Sequence, residues 1–317
     1  METLPNDTLA DAMSKPVRLG LVGVGSWGRN YIATLRDFPG ATLKRVATRN
    51  PDAPELVGPT CKIMTDWRAL IASRDLDGVI ITSPAPLHAE QLRAAIDAGL
   101  PALIEKPLTL DLHTARELLE RAQAKRALVL VDHIYLFHPA YVELKRRAAG
   151  LGAPKSIESR GGNTGPFRAS VTALWDYGPH DVSICLDLLG KMPTDVSATA
   201  KAAHGGEVIK VKLGFPGGVK ASLTFGNGFA VKERWLSLTS AKGELHFDDL
   251  RGVPLRERRG KSPSRPVPVE AARPMDRALQ QFVASIAGKS RDLTSLRQAV
   301  DVVAVLERCG AALGRRR

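Results

Sequence analysis

No stretch constrains this chain more than Gly23-Val24-Gly25-Ser26-Trp27-Gly28. It follows the apolar run Val17-Arg18-Leu19-Gly20-Leu21-Val22, which reads as a strand, and opens an amphipathic segment that reads as helix over residues 30–38. In that setting Gly23 permits a tight turn, Gly25 lets backbone approach a ligand, and Gly28 lets the helix pack on the strand. The unpaired N–H groups and dipole of the helix N-terminus favour an anion such as a pyrophosphate. The unit therefore points to a bound dinucleotide, with Ser26 beside the phosphates and Trp27 either contacting the adenine-pyrophosphate region or packing beside the glycine turn. The plainer reading of the six residues alone is a glycine-rich turn with no ligand.

The surrounding pattern supports an α/β Rossmann domain with a doubly wound parallel sheet over residues 16–133. Strands are expected at 43–48, 78–82, 102–104 and 128–132, with helices over 67–73, 90–98 and from Asp111 to about 125. The run Gly78-Val79-Ile80-Ile81-Thr82 is continuously β-branched at its centre, as suits a strand covered on both faces. Beyond Tyr135 the texture changes to period-2 stretches at 155–160, 195–203, 207–214, 219–225, 233–240 and 244–247. These predict an α+β C-terminal domain over residues 134–317, with a mostly antiparallel open sheet of about six strands. Helices are expected over 140–149, 277–288 and 296–312. The apolar positions of Gly218-Val219-Lys220-Ala221-Ser222-Leu223-Thr224-Phe225 suggest a face for a like copy, hence a homodimer or homotetramer. Residues 1–15 are polar and read as a flexible N-terminal tail.

At 317 residues the chain has room for two domains, and 44% hydrophobic with 25% charged residues excludes global disorder. The net charge is +12, and six basic residues (Arg251, Arg256, Arg258, Arg259, Lys261, Arg265) lie within 251–268 against one acid, Glu257. That stretch reads as a Pro-rich surface loop, and its alternative role is steering of anionic cofactor and substrate. No Tyr or Phe is interleaved there, so base stacking has no support and no nucleic-acid partner is expected. Cys61, Cys185 and Cys309 are far apart, which suggests neither a metal site nor a disulfide framework. The N-terminus lacks a signal-peptide pattern, and no apolar run approaches the ~20 residues of a membrane span. A cytoplasmic protein with no membrane partner is expected.

The segment after the second strand addresses which dinucleotide is bound. An acidic residue there would bind the adenosine ribose hydroxyls of NAD. Here it reads Val46-Ala47-Thr48-Arg49-Asn50, with no carboxylate. Thr48 can hydrogen-bond a phosphate oxygen and Arg49 can pair with it, so NADP is preferred, NAD remaining possible. Otherwise Arg49 simply points into solvent.

Two further stretches complete a pattern. One is Thr82-Ser83-Pro84-Ala85-Pro86-Leu87-His88 followed by Glu105-Lys106-Pro107; the other is Trp175-Asp176-Tyr177-Gly178-Pro179-His180-Asp181. With the glycine motif they resemble the Gfo/Idh/MocA oxidoreductase family from about Val17 onward. Asn163-Thr164-Gly165-Pro166-Phe167 is similar to members that oxidise nucleotide-linked sugars. The resemblance implies an NAD(P)-dependent dehydrogenase or reductase acting on a secondary alcohol of a sugar, nucleotide sugar or polyol. It makes Lys106 the lysine of the family's Glu-Lys-Pro motif and pairs Asp176 with His180 in the active site. The chemistry agrees. A histidine titrating near neutrality suits accepting the hydroxyl proton, Lys106 can stabilise charge on the reacting oxygen, and Asp176 can orient the imidazole or hold a sugar hydroxyl.

By the same resemblance, Thr82, Ser83 and Pro84 lie in the loop covering the nicotinamide. His88 either contacts the cofactor or packs below it, and Glu105 either binds nicotinamide ribose or caps local backbone donors. Asn163, Arg168 and Trp175, with His133 and His138, are candidates for the substrate pocket; His113, His204 and His246 are expected bystanders. Many relatives carry an arginine in the segment matching His133-Ile134-Tyr135-Leu136-Phe137, which has none, and Arg160 and Arg168 are the candidate replacements. Gly178-Pro179 suggests that the helix carrying His180 starts only at Pro179. The competing reading is an NADP-binding regulatory or sensor protein without dehydrogenase activity, against which the Lys106, Asp176 and His180 set argues. Hydride shuttling between two sugars on retained cofactor ranks below it.

Overall fold

The computed structural model describes residues 15–168 and 170–315. The expected N-terminal tail lies outside the described residues apart from Lys15, as do Arg316 and Arg317.

The chain begins with β1 (Val17–Val22), α1 (Ser26–Arg36), β2 (Ala41–Ala47), α2 (Ala53–Leu56), β3 (Lys62–Met64) and α3 (Trp67–Ile71). It continues through β4 (Gly78–Ile81), α4 (His88–Asp97), β5 (Ala102–Glu105), α5 (Leu112–Lys125) and β6 (Val129–Asp132). All pairings among these strands are parallel, in the order β3-β2-β1-β4-β5-β6. The order reverses between β1 and β4, and in such sheets ligands bind beyond the carboxyl ends of the strands at that switch point. Every residue of β4 and β5 is buried, the environment that explains their unbroken apolar character.

The second half runs through α6 (Pro139–Ala148), β7 (Pro154–Thr164), α7 (Ala173–Leu189), β8 (Asp195–Ala203), β9 (Gly206–Gly214), β10 (Lys220–Gly226), β11 (Gly228–Ser240) and β12 (Gly243–Asp248). It ends with β13 (Leu255–Arg259), β14 (Arg265–Pro266), α8 (Pro274–Ala287) and α9 (Thr294–Ala312). Eight strands, rather than about six, form an open sheet in the order β14-β13-β12-β11-β7-β10-β9-β8. Only β10 against β7 is parallel among the described pairings.

Two compact units result. The first holds the described residues up to Thr109, then His113–Asp132 and Met275–Val300; the second holds Leu110–Leu112, His133–Pro274 and the chain from Asp301. Within the first unit, Thr34 Oγ1 donates to Met275 Sδ (3.4 Å), Ser295 Oγ accepts from Val131 N (2.9 Å), and Phe282 is fully buried, so a late segment completes an early sheet.

Three expectations are corrected in the second unit. The stretch 251–268 is not one loop: β13 and β14 cross it. Arg258 pairs with Glu244 (2.5 Å) on the adjacent β12, while Arg147 (2.6 Å) and Arg259 (2.5 Å) share Glu257. The apolar positions of β10 are not a face for a second copy, because Ala221, Leu223 and Phe225 are core. And α7 starts at Ala173, not at Pro179, with Thr172 O accepting from both Trp175 N and Asp176 N. An interior proline and an interior glycine cost a helix about 3 and 1 kcal/mol. Burial offsets that cost, since ten of the 17 residues of α7 are buried.

Gly178 is required by this packing, because a Cβ there would stand 2.6 Å from Leu306 Cδ2 and 3.2 Å from Phe225 Cζ. Both neighbours are fully buried and cannot retreat to solvent. Gly178→Val is expected to lower unfolding stability by about 1–3 kcal/mol in urea titration, the usual cost of overpacking.

Candidate functional site

In the first unit the glycine turn has the geometry its sequence implies. Gly23 has φ +94°, in the region that favours glycine, and its N–H donates to Ala47 O (2.9 Å) at the end of β2. A Cβ on Gly28 would lie 2.2 Å from Gly23 O, so helix meets turn with no side chain between them. Thr82 locks this contact from β4's end, its hydroxyl donating to the same carbonyl (2.7 Å). Gly25 differs: a Cβ there would meet no heavy atom within 4 Å. It is the N-cap of α1, with no side-chain cap bond and no acid in the first turn. An uncapped helix start with open space above a glycine fits a dinucleotide pyrophosphate. Ser26 is exposed and Trp27 half-buried at this end of the helix.

The loop after β2 is held by a residue that pattern reading passed over. Asn50 donates through Nδ2 to Val24 O (2.9 Å) and accepts at Oδ1 from Asp52 N (3.0 Å), tying this loop to the glycine turn. Its own N–H donates to Thr48 Oγ1 (3.0 Å), leaving that hydroxyl's proton free to donate elsewhere. Arg49 is exposed. The nearby carboxylate, Asp52, is engaged by Arg29 (2.7 Å).

Ser83 and Pro84 open the loop after β4, where Ser83 Oγ bonds Gln91 and Pro84 precedes a short 3-10 turn. His88 is 1% exposed, with Nδ1 2.8 Å from Pro107 O and Nε2 2.8 Å from Ser83 O. It braces the two loops against each other from below, and burial pulls its pKa down despite the two carbonyls.

Glu105 and Lys106 close β5, 5% and 7% exposed. Glu105 stands opposite Asp132 in the β5–β6 register. Tyr31, on α1, donates its hydroxyl to Asp132 Oδ2. Burial pushes the Asp132 carboxyl up to about 6, against the lowering effects of the Tyr31 bond and the Lys106 charge. Burial, then the charges of Asp132 and Glu105, push the Tyr31 phenol up as well. The catalytic-lysine candidate thus belongs to a buried polar group of Tyr31, Glu105, Lys106 and Asp132. The sequence signal for Asp132 was an acid ending an otherwise apolar strand; Tyr31 gave none.

In the second unit α7 carries Asp176 and His180 four residues apart, one helical turn, as their sequence spacing allows. Asp176 Oδ2 accepts from Arg168 Nε (3.0 Å), so two of the substrate-pocket candidates are already joined. Tyr177 OH donates to Gly165 O (2.7 Å), fastening the 163–168 segment to the same helix, and Asn163 Oδ1 accepts from Thr164 N (3.0 Å). Trp175 packs against the core with its edge half-exposed. His180 is half-buried, its ring edge-to-face with Tyr135 at 5.2 Å and 89°. His133 is buried, whereas His138 caps α6, accepting at Nδ1 from Ala140 N (3.1 Å) and bonding Asp249 Oδ1 through Nε2 (3.0 Å). That bond holds the Asp249 carboxyl below its usual range. Of the candidate replacement arginines, Arg160 is engaged by Glu233 (2.6 and 2.9 Å). The guanidinium that reaches segment 133–137 is Arg234, stacked 3.7 Å from the Tyr135 ring centre.

Comparison with known proteins identifies the family. Residues 17–133 match the family described as "Oxidoreductase family, NAD-binding Rossmann fold". A crystal structure of a candidate oxidoreductase from Magnetospirillum magnetotacticum MS-1 is 37% identical, with TM-score 0.86 over 93% of this chain and 100% of that one. The chain belongs to the Gfo/Idh/MocA oxidoreductase family. Within the family it is 33% identical over 193 residues to UDP-N-acetylglucosamine 3-dehydrogenase from Acidithiobacillus ferrooxidans, covering 59% of each chain. It is 34% identical over 210 residues to inositol 2-dehydrogenase 4 from Saccharopolyspora erythraea, covering 61% of each. The matched stretches thus span about three fifths of these curated relatives.

The buried carboxyl gives a test of sign. Asp132 has an ordinary value of 3.8 and a folded value of about 6, so the folded state holds its proton more tightly than the unfolded chain. Stability tied to that proton is fully present below the ordinary value and lost as pH rises through the folded one. Asp132→Asn is expected to raise the urea midpoint above wild type near neutral pH, with the gain shrinking as pH falls to about 4.

Proposed function

We propose that the chain is an NAD(P)-dependent oxidoreductase, with NADP preferred, that moves hydride between the nicotinamide and a secondary alcohol carbon of a sugar, nucleotide sugar or polyol. The observation that carries this reading is the placement of Asp176 and His180 one turn apart on α7, with His180 half-exposed and Asp176 held by Arg168. A proton acceptor fixed on a rigid helix beside a charge-paired carboxylate suits alcohol oxidation. The substrate class is supported by the names of the relatives, one acting on a nucleotide sugar and one on a cyclic polyol.

The nicotinamide, when bound, supplies the hydride acceptor or donor. In oxidation, His180 takes the hydroxyl proton as the C–H hydrogen leaves with its electron pair. Lys106, buried after the end of β5, suits stabilising negative charge that develops on a reacting oxygen, an effect amplified by its burial. Asp176, held by Arg168, suits binding a neighbouring substrate hydroxyl or orienting the imidazole. In reduction His180 returns the proton. Gly23, Gly25, Ser26, Trp27 and Gly28 hold the pyrophosphate side, while Thr82, Ser83, Pro84 and Glu105 serve the nicotinamide side. His88 acts there as a brace rather than a direct contact. Asn163, Arg168 and Trp175 line the substrate pocket.

The NADP preference is supported by the loop after β2, where Thr48 retains a donor proton, Arg49 is exposed and Asp52 is occupied by Arg29. A phosphate there would meet the exposed Arg49 cation and the Thr48 hydroxyl donor.

His180→Ala and Lys106→Ala are each expected to lower kcat by about 10²–10⁴-fold, with NADPH affinity by fluorescence titration within about threefold of wild type. The substrate panel includes UDP-N-acetylglucosamine and inositol; turnover retained in His180→Ala would remove the general-base assignment. For the cofactor, kcat/KM is expected to favour NADP over NAD by about tenfold or more, and Arg49→Ala should erase most of that margin. An equal or reversed ratio in the unaltered protein would refute the preference.

A further inference from the structure

Arg234 and Asp181 form an ion pair whose burial needs a reason. Arg234 Nη1 donates to both Asp181 oxygens (3.0 and 3.1 Å), and the two side chains are 6% and 1% exposed. A buried pair of this kind is weak as a source of net stability, because desolvating two charges cancels much of their attraction. The fold nonetheless makes room for it. In the β7–β11 register Gly161 stands opposite Arg234, and a Cβ on Gly161 would lie 2.4 Å from Nη1 and 3.3 Å from Asp181 Oδ2. The backbone of Arg234 is pinned too, its carbonyl accepting from Asp249 N (3.0 Å).

The other contacts of the pair lead to His180. Asp181 is its neighbour on α7, so fixing the Asp181 carboxylate in the core fixes the rotation of the helix that presents His180. The Arg234 guanidinium lies 3.7 Å from the centre of the Tyr135 ring, and that ring meets the imidazole edge-to-face at 5.2 Å. A planar guanidinium on an aromatic face and an edge-to-face ring pair are both attractive and orientation-dependent. An unbroken stack therefore runs from Arg234 on β11 through Tyr135 to the imidazole.

We propose that Arg234 and Tyr135 are positioning residues for His180: Arg234 anchors α7 through Asp181 and carries the Tyr135 ring, and that ring sets the angle of the imidazole. Neither touches substrate. The inference rests on His180 acting as the base, and it predicts that the ring of Tyr135, not its hydroxyl, is what the reaction needs. Misplacing a catalytic group by about 1 Å can cost on the order of 100-fold in rate.

The test uses the full chain with saturating NADP and whichever panel substrate turns over. Tyr135→Leu and Arg234→Lys are each expected to lower kcat about 10–100-fold, with NADPH affinity within about twofold. Tyr135→Phe, which keeps the ring, is expected to recover kcat to within about threefold of wild type. The stack is also read without any substrate. In histidine-labelled protein, the His180 Cε1–H resonance, assigned by its loss in His180→Ala, should shift in Tyr135→Leu and Arg234→Lys and stay near its wild-type position in Tyr135→Phe. Folded Tyr135→Leu with unchanged kcat and an unmoved resonance would overturn the proposal. So would a Tyr135→Phe as impaired as Tyr135→Leu, since the hydroxyl would then carry the effect. If Tyr135→Leu fails to fold, Arg234→Lys alone decides by the same two readouts. Activity retained in His180→Ala would instead overturn the base assignment and leave the resonance result standing.

Discussion

The approach of Gly28 to the carbonyl of Gly23 is the contact on which the nucleotide-binding unit depends. A Cβ would reach within 2.2 Å of that oxygen, so α1 can descend onto the turn only because residue 28 has none. Beside it stand the start of α1 at Gly25 with no side-chain cap, the hydroxyl bond of Thr82 to the same carbonyl, and the bond of Asn50 to Val24 that ties the loop after β2 to the turn. That close approach leaves the N-terminal end of α1 open beside the glycine turn.

Each unit also buries a charged group close to a residue of the proposed chemistry. In the first, Asp132 feels the charge of Lys106 and stands opposite Glu105, and the Tyr31–Asp132 hydrogen bond links α1 to the end of β6. In the second, Arg234 and Asp181 brace Tyr135 and His180. Such groups are costly where they stand, and at low dielectric their electrostatic effect on a neighbour is large.

Local features were legible in the sequence and non-local ones were not. Period and turn chemistry located β1, β4, β8 and α1 to within a few residues, since those elements are set by neighbours in the chain. The start of α7 was misplaced because Gly178-Pro179 breaks a helix in isolation, whereas ten buried residues hold this one together. The stretch 251–268 read as a loop because its arginines look solvated; in the fold Arg258 and Arg259 sit on strand β13, paired with carboxylates of β12 and of β13 itself. His88 was read with its role open; its burial between Ser83 O and Pro107 O joins two loops that no local pattern brings together. Arg234 carried no motif at all; its partner lies 53 residues away, and Tyr31 and Asp132 are 101 apart.

What the amino-acid order determined by itself is the chemistry available at short range: a glycine turn that suits a strand–turn–helix, no acid at residues 46–50, and a histidine four residues after an aspartate. What only the tertiary structure decided is which charges are taken out of water and against what. Met275–Val300 returns to complete the first unit, and Arg234 from β11 reaches Tyr135 and Asp181. The reason is physical: conformational preference is a property of adjacent residues, whereas desolvation and the field it strengthens depend on every group that packs around a site, however distant in the chain.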